Sequence, residues 1–190
     1  AVMVDKARFP RDKCCGDGLT TGALRQLELL GLRPGELPSW TPIGEVHVVG
    51  PDRRSLCFPL PDGPGLHAAV CRRRELDAAL VQLAREAGAA VLEGHALTAV
   101  RADGPWMEAD AGGIRFRARY VVAADGMWSP TRRLLGLNQP GYRGEWHAFR
   151  QYACGVSGVG STDLFVSFEA DLLPGYFWSF PLPDGRANVG

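Results

Sequence analysis

The sequence predicts an α/β fold, in which a layer of parallel strands and helices is followed by the start of an antiparallel sheet. A helical pattern at 75–87 stands between an apolar run at 66–71 and a strand-like run at 90–92, which is typical of parallel strands joined by a crossover helix. The apolar run at 120–124 has the composition of a strand that is buried on both faces. Beyond Gly136, longer strands rich in aromatic residues indicate a second, sheet-based part.

The first half of the chain opens with a strand that ends on a carboxylate. Residues 1–5 read as the end of this strand, and a helix with apolar residues at helical spacing is predicted over 18–30. Two short strands are predicted at 46–49 and 56–58, because turn-forming residues separate two apolar runs. The helix at 75–87 has its leucines on one face, and the glycine that follows is expected to end it.

The second half begins with an antiparallel meander whose turns contain glycine, with strands at 97–100, 106–109 and 114–116. After the run at 120–124, Ser129 and Pro130 favour the start of a helix. Serine accepts a hydrogen bond as an N-cap, and proline is preorganised for the first helical position. The last strands are expected at about 142–156, 164–169 and 176–181.

The composition excludes several classes of protein. The chain has 190 residues, of which 46% are hydrophobic, enough for a buried core. Lysine plus arginine and aspartate plus glutamate number 21 each, so the overall charge does not attract nucleic acid. Five cysteines without a Cys-x-x-Cys pair disfavour a disulfide framework or a zinc site and favour a reducing, cytoplasmic compartment. The four histidines show no ligand spacing, so no metal is expected, and no apolar run is long enough to cross a membrane.

The block Phe9-Pro-Arg-Asp-Lys-Cys-Cys-Gly-Asp-Gly-Leu19 is the most informative motif. Gly16 and Gly18 let the backbone approach a ligand closely, because no Cβ stands in the way. A helix that starts directly after them would point free N–H groups at an anion such as a pyrophosphate. Asp5 ends the preceding strand, where an acid commonly binds a ribose hydroxyl in dinucleotide-binding folds. These features predict part of a Rossmann-like layer.

A second motif, Asp125-Gly126, follows the apolar run at 120–124. Open α/β sheets bind ligands at the carboxyl ends of their strands, which is where this acid is expected. Gly126 allows the chain to turn sharply there. An Asp-Gly pair is by itself an ordinary turn, and its position after a fully apolar run is what favours a binding role.

A third motif contains three alternating aromatic residues, Tyr176, Trp178 and Phe180. Alternate residues of a strand project from one face, so the three rings are expected side by side. Aromatic residues in a strand commonly form a core. Three large rings on one face also form a slot for a flat ring or an apolar chain, and the sequence leaves both interpretations open.

Four motifs together resemble one family: the block at 9–19, Arg73-Arg-Glu-Leu-Asp77, Ala124-Asp-Gly126 and Gly175-Tyr-Phe-Trp-Ser-Phe-Pro181. Their order and spacing resemble the geranylgeranyl reductase family of flavoproteins, within the larger group built like aromatic-ring hydroxylases. Bacterial menaquinone reductases look especially similar. The resemblance covers essentially the whole chain and implies an FAD-binding α/β domain with the start of an antiparallel-sheet substrate domain.

The resemblance implies a role for each matched residue on the adenosine side of FAD. Asp5 would bind the adenosine ribose, and Leu97 would offer backbone groups to the adenine. Arg73 would reach the phosphates, with Arg74 as a substitute one position on. FAD is therefore the implied cofactor, with NAD(P)H as the electron donor.

The same resemblance implies roles near the flavin. Cys15, Gly16 and Gly18 would line the path of the flavin-side phosphate and ribitol, while Asp125 and Gly126 would shape the cofactor cleft. The three alternating rings would line a tunnel for an isoprenoid chain.

The implied reaction saturates an isoprenoid C=C bond of a prenyl lipid, a geranylgeranyl group or a menaquinone tail, by hydride transfer from reduced flavin. Cys15 is the candidate catalytic residue, as a proton donor or as a residue that sets the geometry, and a small packing residue beside the flavin fits it equally. A lipid substrate implies peripheral contact with the inner face of a membrane. The alternatives are an FAD- and NAD(P)H-dependent aromatic monooxygenase, or an inactive fragment.

The resemblance also implies a division of the chain. Residues 1–45 and 71–136 would belong to the FAD-binding part, and residues 46–70 and 137–190 to the substrate-binding sheet. The first strand of the family, with its Gly-x-Gly-x-x-Gly turn, and its later Gly-Asp flavin loop have no counterpart in this sequence. We therefore expect a fragment that lacks both ends of its cofactor site. Cys14 stands where the family has a small residue or proline, and its role is left open.

Overall fold

The computed structural model describes residues 1–61, 65–139, 141 and 147–190. In chain order the strands of these residues are β1 Val2–Asp5, β2 Gly18–Thr20, β3 Thr41–Pro42, β4 Glu45–Val49, β5 Ser55–Pro59, β6 Ala68–Val70, β7 Ala90–Glu93, β8 Leu97–Asp103, β9 Trp106–Ala111, β10 Ile114–Ala118, β11 Gln151–Cys154, β12 Leu164–Ser167, β13 Phe177–Leu182 and β14 Arg186–Val189. Their helices are α1 Thr21–Leu29, α2 Arg73–Glu86 and α3 Pro130–Leu134, with short 3-10 turns at Pro34–Glu36, Val159–Ser161 and Ala170–Leu172.

The chain divides into two compact units. The first unit comprises Ala1–Phe9 and Ala84–His147, and the second comprises Pro10–Leu83 and Ala148–Gly190. Within the described ranges, none of the helices has the length and hydropathy that a bilayer-spanning segment requires.

The first unit contains the parallel strand pair that the sequence predicts. β1 pairs with β7 in parallel, with Val2 opposite Ala90 and Asp5 opposite Glu93. The meander β8–β9–β10 is antiparallel, as predicted. Ser129 is the N-cap of α3, since its Oγ accepts a hydrogen bond from the backbone N–H of Arg132 at 2.9 Å.

The prediction of a buried strand at 120–124 is wrong for this structure. These residues have no strand assignment, and the side chains of Tyr120 and Val122 are 83% and 86% exposed. A strand buried on both faces needs hydrogen-bonded neighbours. None of the sheets formed by the described residues includes this segment, so its apolar composition alone does not make it a strand.

The second unit contains two sheets. The larger has the order β11-β14-β13-β12-β4-β5, in which β12 and β4 are parallel and the other pairs are antiparallel. The strands predicted at 46–49 and 56–58 therefore share a sheet with the aromatic-rich strands. The predicted strand at 142–156 is confirmed only as β11, and its part at 142–146 lies outside the described residues. β14 was not predicted.

The smaller sheet corrects the predicted start of the first helix. Its order is β2-β6-β3, and β2 places Gly18 opposite Val70 and Thr20 opposite Ala68. The backbone at 18–20 is thus extended and paired, and α1 begins only at Thr21. The helix therefore starts three residues later than predicted, and its first free N–H groups follow Thr20 rather than Gly18.

Two apolar clusters form the core of the second unit. The first contains Leu27 of α1 and Leu76 of α2, together with Leu32 and Cys71 from the segments beside these helices, and all four are at most 9% exposed. The second includes residues of both sheets. It contains Ile43, Ala68, Val70 and Leu182, and Tyr152 and Phe180 pack against it. These clusters hold the glycine-rich block beside the aromatic strand.

Candidate functional site

The glycine-rich block packs against the aromatic strand β13. A Cβ built on Gly18 would lie 3.0 Å from Cε2 of Phe180, and one built on Gly16 would lie 3.4 Å from the same carbon. Residues without a Cβ are therefore what allows the block to lie this close to the ring. The structure brings together two motifs that the sequence holds more than 150 positions apart.

Asp17 holds the glycine-rich block in place through hydrogen bonds on its buried side. Its side chain is 1% exposed, and its φ of 64° is a left-handed conformation that aspartate tolerates. Oδ2 accepts hydrogen bonds from the hydroxyl of Tyr152 and from Nδ2 of Asn188, both at 2.8 Å. Oδ1 accepts one from the backbone N–H of Arg73 at 3.2 Å, at the start of α2. A buried carboxylate of this kind is tolerated because several donors face it.

Asn188 connects the block to the aromatic strand. This side chain is fully buried, and its Nδ2 also donates to the backbone carbonyl of Cys15 at 2.8 Å. Its Oδ1 accepts a hydrogen bond from Nε1 of Trp178 at 3.1 Å. One amide therefore fixes Cys15, Asp17 and Trp178 relative to each other.

Neither Asp17 nor Asn188 was predicted as a site residue. Asp17 lies between the two glycines that were singled out, and its burial could be read only from the fold. For Asn188 a local signal exists, because Asp184-Gly185 is a typical hairpin turn. That turn places Asn188 directly opposite Phe180 in the register of β13 and β14.

The three alternating rings share one face, as predicted. The ring centroids of Tyr176 and Trp178 are 5.9 Å apart, and those of Trp178 and Phe180 are 6.4 Å apart. Their exposure differs, since Trp178 is 8% exposed and Tyr176, just before β13, is 53% exposed. The row thus runs from the core of the second unit to an accessible end.

Two guanidinium groups share one carboxylate beside the block. Arg73 donates from Nε and Nη2 to the two oxygens of Asp77 at 2.7 and 3.0 Å, and Arg11 donates from Nη1 at 2.9 Å. Partial burial lowers the pKa of Arg73, but hydrogen bonds to Asp77 and to the Cys15 side chain outweigh this and raise it overall. Arg74 is exposed.

Arg150 holds the segment that precedes the two cysteines. Its Nη2 donates to Oδ1 of Asp12 at 2.6 Å and to the carbonyl of Lys13 at 2.7 Å, and its guanidinium lies 4.4 Å from the ring centroid of Tyr152. Burial, together with the hydrogen bond to Asp17, raises the pKa of Tyr152 well above its usual range. Tyr152 therefore keeps its proton and remains a donor to Asp17.

Four predicted site residues belong to the first unit. Asp5 ends β1, and its Oδ1 accepts a hydrogen bond from the backbone N–H of Ala7 at 2.8 Å. Leu97 begins β8, opposite Ala111. Asp125 and Gly126 lie before α3. The other predicted residues, Cys15, Gly16, Gly18, Arg73 and the three rings, are brought together within the second unit.

The Asp125 carboxylate stabilises the first turn of α3. Its Oδ2 accepts a hydrogen bond from the backbone N–H of Thr131 at 2.8 Å, and Gly126 has a φ of 77°. Desolvation would raise the pKa of Asp125, but hydrogen bonds from Ser129 and Thr131 outweigh it and lower the pKa to about 2. In this structure, Asp125 therefore has a structural role at the start of α3, beside the binding role predicted from the sequence.

We expect the acid stability of the protein to depend on Asp125. The folded-state pKa of about 2 lies below the ordinary value of 3.8, so the unfolded chain binds more protons in between. The contribution of Asp125 to folding stability is therefore complete above its ordinary pKa, and it is lost as the pH falls toward the folded-state pKa. Free energies of unfolding of the wild type and Asp125→Asn, measured against pH, should converge in that window. Asp184→Asn, in an exposed turn, is the control, and a gap that does not change with pH would contradict the assignment.

The fold and this site define a class of protein. A family model described as an FAD binding domain matches residues 1–155, so the chain belongs to the family of FAD-binding domains. The α/β fold class predicted from the sequence is confirmed by this match.

Two relatives with named functions are similar to this chain over its whole length. The chain is 34% identical over 211 residues to menaquinone reductase of Mycobacterium tuberculosis, covering 100% of this chain and 48% of that protein. It is 35% identical over 199 residues to digeranylgeranylglycerophospholipid reductase 2 of Methanopyrus kandleri, covering 100% and 47%. The resemblance to geranylgeranyl reductase flavoproteins is thus confirmed. The chain spans about half the length of the curated relatives it matches.

Solved structures show the same fold. A geranylgeranyl bacteriochlorophyll reductase-like protein from Thermoplasma acidophilum superposes with a TM-score of 0.78 at 21% identity, covering 99% of this chain and 49% of that one. The halogenase PltM, solved in complex with phloroglucinol and FAD, gives a TM-score of 0.74 at 16% identity, covering 99% and 45%. The fold is therefore shared with flavin enzymes of different chemistry.

The residues of the second unit fit a phosphate-bearing cofactor. Arg11 and Arg73 both pair with the Asp77 carboxylate, which places two guanidinium groups side by side. Such guanidinium groups are well suited to phosphate, because their donors match its oxygens in pairs. The glycines of the block present bare backbone beside them.

Proposed function

We propose that this protein is an FAD-dependent oxidoreductase that saturates an isoprenoid C=C bond of a prenyl lipid, either a geranylgeranyl group or a menaquinone tail. The observation that carries the proposal is the joining of the Cys-Gly-Asp-Gly block to the aromatic strand through Asn188. The names of the relatives support the same substrate class. NAD(P)H as electron donor and peripheral contact with the cytoplasmic face of a membrane complete the proposal.

The proposed cofactor contacts in the second unit follow from its charges and its bare backbone. Arg73, with Arg11 beside it, would bind the phosphates, and Cys15, Gly16 and Gly18 would lie along the ribitol. When bound, FAD supplies the hydride for the C=C bond. The chain itself would hold these residues in position. Asn188 and Asp17 do this through their buried hydrogen bonds to Cys15 and Arg73.

The first unit would supply the remaining cofactor contacts. Asp5, at the carboxyl end of β1, would bind the adenosine ribose, as strand-end acids do in dinucleotide-binding folds. Leu97 would offer backbone groups to the adenine, and Asp125 with Gly126 would shape the cleft.

The proposed substrate surface is the row of three rings. Tyr176 offers an exposed face to an apolar chain, while Trp178 is held in place by its hydrogen bond to Asn188. An unactivated alkene has little charge for a protein to stabilise, so the position of its carbons should dominate the rate. Rings that exclude water from the chain serve that purpose.

Cys15 is the proposed proton donor. Saturation of a C=C bond adds a hydride to one carbon and a proton to the other, and the Cys15 thiol can release that proton from Sγ and recover it from water. The hydrogen bond from Asn188 to its backbone carbonyl holds this residue beside the aromatic strand. General acid catalysis of this kind contributes about 10²- to 10⁴-fold to a rate.

The test uses the full-length protein, reduced with NADPH and incubated without oxygen with a menaquinone that has an unsaturated tail. Mass spectrometry should show the gain of two hydrogen atoms, and in deuterated water at least one of them, the one added as a proton, should be deuterium. Cys15→Ser should slow product formation by about 10²-fold, whereas the neighbouring Cys14→Ser should have little effect. A hydroxylated product formed with consumption of oxygen would instead establish the monooxygenase alternative.

A further inference from the structure

A cluster of three potential metal ligands lies on the β4–β5 hairpin, at the edge of the larger sheet. Glu45 and His47 are two residues apart on β4, so their side chains share one face. Cys57 on β5 lies directly opposite His47 in the antiparallel register. The hairpin therefore brings a carboxylate, an imidazole and a thiol together.

The ligand atoms lie close to the separations that a tetrahedral ion requires. Nε2 of His47 lies 3.0 Å from Oε2 of Glu45, and Sγ of Cys57 lies 3.2 Å from that oxygen and 3.7 Å from that nitrogen. Bond lengths of about 2.3 Å for Zn–S and about 2.0 to 2.1 Å for Zn–N and Zn–O put tetrahedral ligand atoms about 3.3 to 3.6 Å apart. Each pair of atoms needs to move by only a few tenths of an ångström.

We propose that Glu45, His47 and Cys57 bind a zinc ion, with water as the fourth ligand. Thiolate, imidazole and carboxylate are all ligands that zinc accepts, and sulfur together with nitrogen disfavours magnesium and calcium. The side chain of Glu45 is 46% exposed and Cys57 is also exposed, so the ion has access from solvent. This site is separate from the proposed function and would make His47 a metal ligand, which its sequence spacing does not predict.

The exchange that accompanies binding is simple. The Cys57 thiol now donates to Glu45, and binding would break its S–H bond, form the Zn–S bond and release the proton to the buffer. The thiolate and the carboxylate together neutralise the two charges of the ion. Asp163 supports the site, because its Oδ1 accepts a hydrogen bond from the backbone N–H of Glu45 at 3.2 Å. The ion would tie the edge strand β5 to its neighbour.

The direct test titrates the metal-free full-length protein with Co²⁺ and then with Zn²⁺. We expect a cysteinate-to-cobalt charge-transfer band with the intense visible bands of tetrahedral cobalt, and stoichiometric displacement by zinc. Cys57→Ser should abolish the charge-transfer band, and His47→Gln should weaken zinc binding by at least about tenfold. Cys154→Ser removes another exposed cysteine of the same sheet and should leave the spectra unchanged.

A second measurement needs no variant. Zinc, but not magnesium, should protect Cys57 from alkylation in the wild-type protein, as mapped by peptide mass spectrometry, while Cys154 stays reactive. A missing charge-transfer band in the wild type, its persistence in Cys57→Ser, or an alkylation rate of Cys57 that zinc does not change would each overturn the proposal.

Discussion

Replacing Asp17 with alanine is expected to destabilise the protein by about 3 kcal/mol, because it removes the acceptor of three donors, one buried and two half-buried, and an unsatisfied donor costs about 1 to 3 kcal/mol when it is buried. The donors are the hydroxyl of Tyr152, the amide of Asn188 and the backbone N–H of Arg73. The measurement is the free energy of unfolding in urea, for the full-length protein at a fixed FAD concentration.

The chain offers a matched control for this substitution. Asp184 has a φ of 65°, almost the same as the 64° of Asp17, but lies exposed in the turn before β14. Asp184→Ala therefore reports only the strain of alanine in the left-handed region, about 1 to 2 kcal/mol. Equal losses in the two variants would show that the buried network contributes little.

Replacing Arg73 with alanine is expected to weaken FAD binding by about 10- to 100-fold, since a hydrogen bond to a charged group contributes about 1.5 to 3 kcal/mol. Arg73→Lys should recover only part of this affinity, because an ammonium group cannot reproduce the paired contact of a guanidinium. Flavin fluorescence during a titration of the full-length apoprotein with FAD measures both values.

Arg74 provides the comparison, because it is a second arginine in the same turn of α2 and is exposed. Arg74→Ala removes the same charge without touching the contacts to Asp77 and Cys15, so its effect on FAD affinity should be small. If Arg74→Ala weakened binding as much as Arg73→Ala, the phosphate contact would belong to the substitute position that the sequence left open.

Local patterns predicted much of this fold. The apolar spacing of α2 and the glycine after it place the helix correctly to within two residues at its start, and the runs at 1–5 and 90–92 form the parallel pair. These elements are set by periodicity and turn chemistry, which act over a few residues. The alternation of Tyr176, Trp178 and Phe180 likewise predicted that the three rings share one face.

The wrong secondary-structure predictions have a common physical cause. Where a segment fits either a helix or a strand, hydrogen bonding to a distant strand decides which one forms. Residues 18–20 fit the start of a helix but are extended, because they pair with β6. Residues 120–124 fit a buried strand but have no hydrogen-bonded neighbour among the strands of the described residues. Asp17 and Asn188 were missed because their hydrogen bond joins positions 171 residues apart, a separation that no local pattern reports.

That separation also has a consequence for biosynthesis. A ribosome makes the glycine-rich block early, yet the amide that holds Cys15 and Asp17 belongs to a residue translated long afterwards. Until Asn188 is made, Asp17 lacks one of its hydrogen-bond donors, and contacts between such distant positions form slowly. We therefore expect nascent chains arrested before residue 188 to present Cys14 and Cys15 to thiol reagents more readily than the finished polypeptide does.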